Sequence, residues 1–153
     1  GYWWTYSYQC FNGLMRFEKQ ADLDREKKAI DTFVRRFKGS YKKLAPDDID
    51  YRVFDKDGDL IAYVEVKGRL RSVKDAYPLP IAAKKVTKLC DKRLNPTIVW
   101  ACEDGILYAK VKELRGEVRW GGRKPREYSP FNNDAEFMMY FPKQRSIKYI
   151  KYY

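Results

Sequence analysis

The sequence predicts an α/β domain, a central mixed β-sheet flanked by helices. Three observations predict it: an amphipathic helical stretch over residues 21–37, a strand pair about Asp57-Gly58, and a second helix followed by a further strand pair. With 153 residues the chain has the length of one domain with its own core. Its 44% hydrophobic and 16% aromatic content is that of a folded chain rather than a disordered one.

Residues 1–13 are rich in aromatics, Trp3 and Trp4 among them, and carry no charge. They suit a packed strand, a stacking surface for bases, or an appended extension, and the MRFEKQ that begins at Met15 reads like a start. In residues 21–37, Ile30, Phe33, Val34 and Phe37 recur at spacings of three and four, the period of one helix face. Asp22 or Asp24 is the expected cap and Gly39-Ser40 the expected stop. Glu26 lies four residues before Ile30, in line with that stripe.

Residues 49–54 and 60–66 are β-branched and aromatic, and the Asp-Gly between them signals a tight hairpin. A turn symmetric about Asp57-Gly58 sets Arg52 opposite Tyr63, Phe54 opposite Ile61, Asp50 opposite Glu65, and Asp48 opposite Lys67. Residues 68–80 form a basic loop kept irregular by Pro78 and Pro80. A second helix is expected over 81–93, stopped by Asn95-Pro96. Strands over 97–102 and 106–111 follow, then a polar Gly, Pro and Arg-rich stretch at 116–133, and a last strand at 135–141. No linker divides the chain, so it reads as a single domain over 1–153: an extension at 1–14, a core at 15–111 and a basic portion at 112–153.

Charge and composition narrow the chemistry. The 32 Lys and Arg against 21 Asp and Glu leave a net charge of +11, spread along the chain with aromatics among the basic residues. That distribution favours a nucleic-acid partner over a membrane surface, and no apolar run is long enough to span a bilayer. With no His, triads and histidine metal ligands are excluded. Cys10, Cys90 and Cys102 are odd in number and widely spaced, which indicates reduced thiols in a cytoplasmic setting.

The chemistry-bearing group is Asp50 with Glu65-Val66-Lys67. Opposed side chains on paired strands approach to about 5 Å at Cβ, and Lys67 shares the face of Glu65. A purely structural ionic cluster would set a cation opposite a carboxylate, because directly opposed like charges destabilise the pair. Two facing carboxylates instead suit a hard divalent cation such as Mg²⁺, with Lys67 near enough to act on a metal-activated water in phosphodiester hydrolysis.

The order of these features resembles the PD-(D/E)XK nuclease superfamily, with its restriction-endonuclease-like fold, over residues 24–111. It runs as a helix bearing Glu26, the strand DIDYRVF bearing Asp50, a hairpin into YVEVKGR with Glu65-Val66-Lys67, and a helix with KKVTKL. The resemblance implies a Mg²⁺-dependent deoxyribonuclease, Mn²⁺ substituting, with endonuclease favoured over exonuclease. It assigns metal binding to Asp50, Glu65 and the Val66 main-chain carbonyl, support of the site to Glu26 ahead of Glu18, and assistance of the attacking water to Lys67. Pro46-Asp47 spells the literal motif and Asp48 stands near the strand start, but the facing argument selects Asp50.

Backbone contacts to DNA are expected from Lys85, then Lys84, and from Arg69, Arg71, Arg123 and Arg126. For the helix lysines a solvated face is an equal reading, as a basic loop is for 120–126, while Trp3 and Trp4 suit packing better than base stacking. Cutting a duplex would call for two active sites and hence a homodimer, in a phage-encoded or bacterial setting. The competing reading is a non-catalytic nucleic-acid-binding module of the same fold, against which stands the presence of Asp50, Glu65 and Lys67 together. A weaker third reading is a partner-binding subunit docking through its aromatic N-terminal stretch.

Overall fold

Helix α1 (Gln9–Arg36) is 28 residues long, twelve residues longer at its start than the apolar stripe suggests. It belongs to a computed structural model that describes residues 9–44, 51–91, 94–123 and 134–153. Asp22 and Asp24 therefore sit inside the helix rather than capping it. Asp22 pairs with Arg25 at 2.8 Å, and Asp24 accepts from Gln20 Nε2 at 2.9 Å. Residues 9–13 are helical, not a strand.

The helix ends as the Gly39-Ser40 signal requires, by a Schellman turn. Gly39 N–H donates to Val34 O and Lys38 N–H to Arg35 O, with Lys38 taking the left-handed φ of 55°. Gly39 serves a different need, since a Cβ there would strike the Phe54 carbonyl oxygen. The chain passes straight into β1 (Ser40–Lys43), a short polar strand without a sequence signal.

Strands β2 (Tyr51–Phe54) and β3 (Leu60–Gly68) form the expected hairpin. Tyr51 pairs with Val64, Arg52 with Tyr63 and Val53 with Ala62, as a turn about Asp57-Gly58 demands; a bulge after Val53 then shifts Phe54 onto Leu60 instead of Ile61. Asp55 Oδ1 accepts the N–H groups of Asp57 and Asp59, both at 2.9 Å, and Gly58 takes φ 85°.

A 3-10 turn and β4 (Leu79–Ala82) occupy the end of the expected basic loop, so α2 is confined to Ala83–Cys90. Strands β5 (Thr97–Ala101) and β6 (Gly105–Lys110) follow close to expectation, then β7 (Glu117–Arg123), β8 (Asp134–Phe141) and β9 (Lys148–Lys151). The main sheet has the order β1-β2-β3-β5-β6-β9, and only β3 and β5 run parallel. Strands β4, β8 and β7 make a second, antiparallel sheet.

The main sheet is covered on both faces. Ala29, Ile30, Phe33 and Val34 of α1 pack with Val53, Val64, Val66 and Val99 on one side. On the other, Leu79, Ile81, Val86, Leu89 and Phe141 pack with Ile98, Trp100 and Leu107, and Trp100 Nε1 donates to Pro80 O at 2.9 Å. Cys102 lies in this second core, where burial above all, then the Asp104 charge, pushes its thiol up to about 11. In native protein near neutral pH, Cys102 should resist iodoacetamide while exposed Cys90 reacts, as peptide mass spectrometry would read. Equal labelling of the two would mean that this core opens. Among the described residues no helix is long and apolar enough to cross a membrane.

Candidate active site

Strand β3 lies inside the main sheet, with β2 antiparallel on one side and β5 parallel on the other. Its period of two sends Val64 and Val66 into the α1-side core and Tyr63 to the opposite one, so Glu65 faces the α2 side, while Lys67, near the strand's end, lines a cleft together with residues of α1. The pairing of β2 with β3 ends at Tyr51 and Val64 among the described residues. Glu65 to Gly68 continue beyond it, paired to Ile98 through Ala101 of β5.

The Glu65 side chain is only 5% exposed, and Lys85 Nζ of α2 stands 3.3 Å from its Oε2. A carboxylate at such a position is costly to hold unless charged or hydrogen-bonding partners offset its lost hydration. Lys85, expected on a DNA phosphate, supplies one such partner. Lys67 is exposed, and with half-buried Glu26, buried Val66 and exposed Gly68 it lines a cleft of about 270 Å³, joined by Asp22, Arg25, Leu70 and Ala101.

Glu26 reaches this cleft from α1, on the other face of the sheet from Glu65. Its Oε1 accepts from the Tyr51 hydroxyl at 2.7 Å and lies 3.3 Å from Lys43 Nζ. Glu26, Val66 and Lys67 are thus brought together, while Glu65 sits beside them on the α2 side. Asp50, Asp48 and Asp47 lie outside the described residues, as do Trp3, Trp4 and Arg126. Among the described residues no three acidic or cysteine side chains converge into a cation site.

The remaining basic candidates divide by what they touch. Arg69 turns inward, Nε donating to Ala76 O at 2.9 Å and Nη2 reaching Pro78 O at 3.4 Å. Burial, then the neighbouring Arg71, lowers its pKa from the ordinary value. It holds the loop after β3 together. Arg71 is exposed, Lys84 pairs with Glu136 of β8 at 3.5 Å, and Arg123 is the last residue of β7. Lys43 and Tyr51, the two partners of Glu26, escape a reading of the sequence: β1 has no strand pattern, and Tyr51 reads only as a core aromatic.

The Glu65 carboxylate and the neighbouring Val66 main-chain carbonyl are oxygen donors of the kind a hard divalent cation takes, and the chain has no imidazole, while Glu26 lies on the other face of the sheet from Glu65. An α/β core whose central strand bears Glu-x-Lys, with helices on both faces, defines the PD-(D/E)XK superfamily and its restriction-endonuclease-like fold. Residues 14–147 match the family described as phage putative PDDEXK endonuclease, and the chain belongs to that family. The matched residues include every strand of both sheets except β9. No curated protein and no solved structure matches the chain.

Proposed function

We propose that this chain is a Mg²⁺-dependent DNA endonuclease whose site is Asp50, Glu65 and Lys67, supported by Glu26. The observation that carries the reading is Glu65: a side chain 5% exposed on the central strand, two residues before a lysine that lines an open cleft. Asp50 is the chain neighbour of Tyr51, the partner of Val64, so the hairpin register favours it over Asp48 as the residue beside Glu65. The carboxylates of Asp50 and Glu65 and the Val66 carbonyl would hold the cation, with Glu26 approaching the same end of β3 from the α1 side. Bound there, it would supply positive charge to the scissile phosphate and acidify a water.

The protein's own groups do the rest. Lys67, which lines the cleft, donates from Nζ a hydrogen bond that orients the attacking water towards phosphorus. Lys85 holds the Glu65 carboxylate in position through the 3.3 Å pair. Tyr51 and Lys43 fix Glu26, which also ties α1 to the start of β2. Exposed Arg71 and the net charge of +11 draw in the DNA backbone. Two copies would serve the two strands of a duplex, in the bacterial cytoplasm where phage DNA is processed.

The test is cleavage of linear, nicked, branched, single-stranded and covalently closed circular DNA with Mg²⁺, Mn²⁺ or EDTA, beside Asp50→Ala and Lys67→Ala. Cutting of the closed circle is the expected result and separates endonuclease from exonuclease. Cleavage that persists in EDTA, or survives both substitutions, would overturn the site. Tight binding with no cleavage of any substrate would favour the non-catalytic module.

A further inference from the structure

The ribbon of β7 and β8 begins in the core and ends in solvent without changing the character of one face. At its base Phe141 and Met139 pack into the second core. Farther out, on the same face, Val118, Trp120 and Phe137 are 54%, 60% and 58% exposed. Trp120 pairs directly with Phe137 in the register, and their rings stand edge to face at 4.9 Å and 82°. Two large aromatics held together in water, at a cost in exposed apolar surface, mark a contact surface.

Its chemistry points to a base rather than to another protein. Three apolar residues fall far short of the roughly 800 Å² per partner of a stable interface. Exposed Arg115 precedes the ribbon, and exposed Arg119 lies on its reverse face, over the Tyr140 ring at 4.2 Å and paired with Glu117 at 3.0 Å. Every base has a π-face, and aromatic side chains beside cations are how proteins hold unpaired ones.

The ribbon is also tied to the candidate site. Glu136, the neighbour of Phe137, pairs with Lys84 at 3.5 Å, and the next residue, Lys85, holds Glu65 at 3.3 Å. Two consecutive lysines of α2 thus join the ribbon to the carboxylate.

We propose that Trp120 and Phe137 form a stacking platform for an unpaired base next to the scissile phosphate, making DNA with a single-stranded segment at the cleavage point the substrate class. The role at cleavage rests on the nuclease reading above; the platform itself is tested without it. In blunt duplex the bases stack on one another and offer the platform nothing.

Fluorescence anisotropy in EDTA, with labelled forked, single-stranded and blunt duplex oligonucleotides, reads the platform free of catalysis. Trp120→Ala and Phe137→Ala should each weaken forked and single-stranded binding about tenfold, the lower part of the range for stacking one base. Blunt duplex binding should change less than twofold, and Trp120→Phe should restore most of the loss. Both side chains are exposed, and circular dichroism confirms that each variant is folded. Equal loss on duplex and fork, or no loss, would overturn the platform. So would a dimer in sedimentation velocity that Trp120→Ala converts to monomer, which would give the patch to a second copy. Absence of cleavage with a fork-selective binding loss would sink the nuclease reading and leave the platform standing.

Discussion

Glu65→Gln is expected to lower Mg²⁺-dependent cleavage by roughly 10²–10³-fold or more, the cost of removing one charged contact to a transition state. Glutamine keeps the shape of the side chain and a hydrogen-bonding oxygen, so the strand and its packing remain. It removes the charge that would hold the cation and the charge that Lys85 meets at 3.3 Å. Lys85 is 48% exposed, so its ammonium passes to water at little cost, and stability should change by about 1 kcal/mol or less. Cleavage against Mg²⁺ concentration, with thermal unfolding beside it, separates lost chemistry from lost structure. Activity within tenfold of the parent would remove Glu65 from the site and leave it a buried ion-pair partner.

Trp100→Ala should produce the largest loss of stability, about 3–5 kcal/mol out of the 5–15 kcal/mol that holds a typical domain folded. Trp100 is fully buried on β5, its indole N–H donates to Pro80 of β4, and its ring meets that of Phe141 of β8 at 5.8 Å. Truncation opens a cavity where the second sheet docks on the first and leaves a carbonyl of β4 without its donor. Trp100→Phe should cost distinctly less, because most of the ring remains. Urea unfolding measures both; a cost below 1 kcal/mol for the alanine variant would mean that the sheets do not depend on this contact.

What could be read from the sequence follows how strongly each element is patterned. The β2–β3 hairpin was legible in register because Asp57-Gly58 sets the turn and its strands alternate, although the bulge at Phe54 was not. Strands β5 and β6 were legible as apolar runs. Strands β1 and β9 are short and rich in Lys and Tyr, β7 holds two Gly and two Arg, and β4 contains Pro80; each forms because a neighbour offers it a ladder. The early part of α1, residues 9–20, reads instead as an uncharged aromatic stretch followed by a chain start at Met15, so the expected helix begins twelve residues late.

Of the candidate site, spacing along one strand sufficed to single out Glu65, Val66 and Lys67 as candidates. What it could not supply was contact across elements: Lys85 on Glu65, Lys43 and Tyr51 on Glu26, and the inward turn of Arg69 all depend on how separate elements meet. The position of Glu26 on the far face of β3 belongs to the same class.

The two outer strands of the main sheet, β1 and β9, give the basic excess a second task. Open strand edges invite pairing with any other exposed edge, and buried-looking sheets that stop abruptly are prone to stack into aggregates. Here one margin carries Lys42 and Lys43 and the other Lys148 and Lys151, all exposed. Two molecules meeting margin to margin would bring lysine against lysine, which opposes pairing of the edges. Salt, which screens exposed charges, should erode that protection.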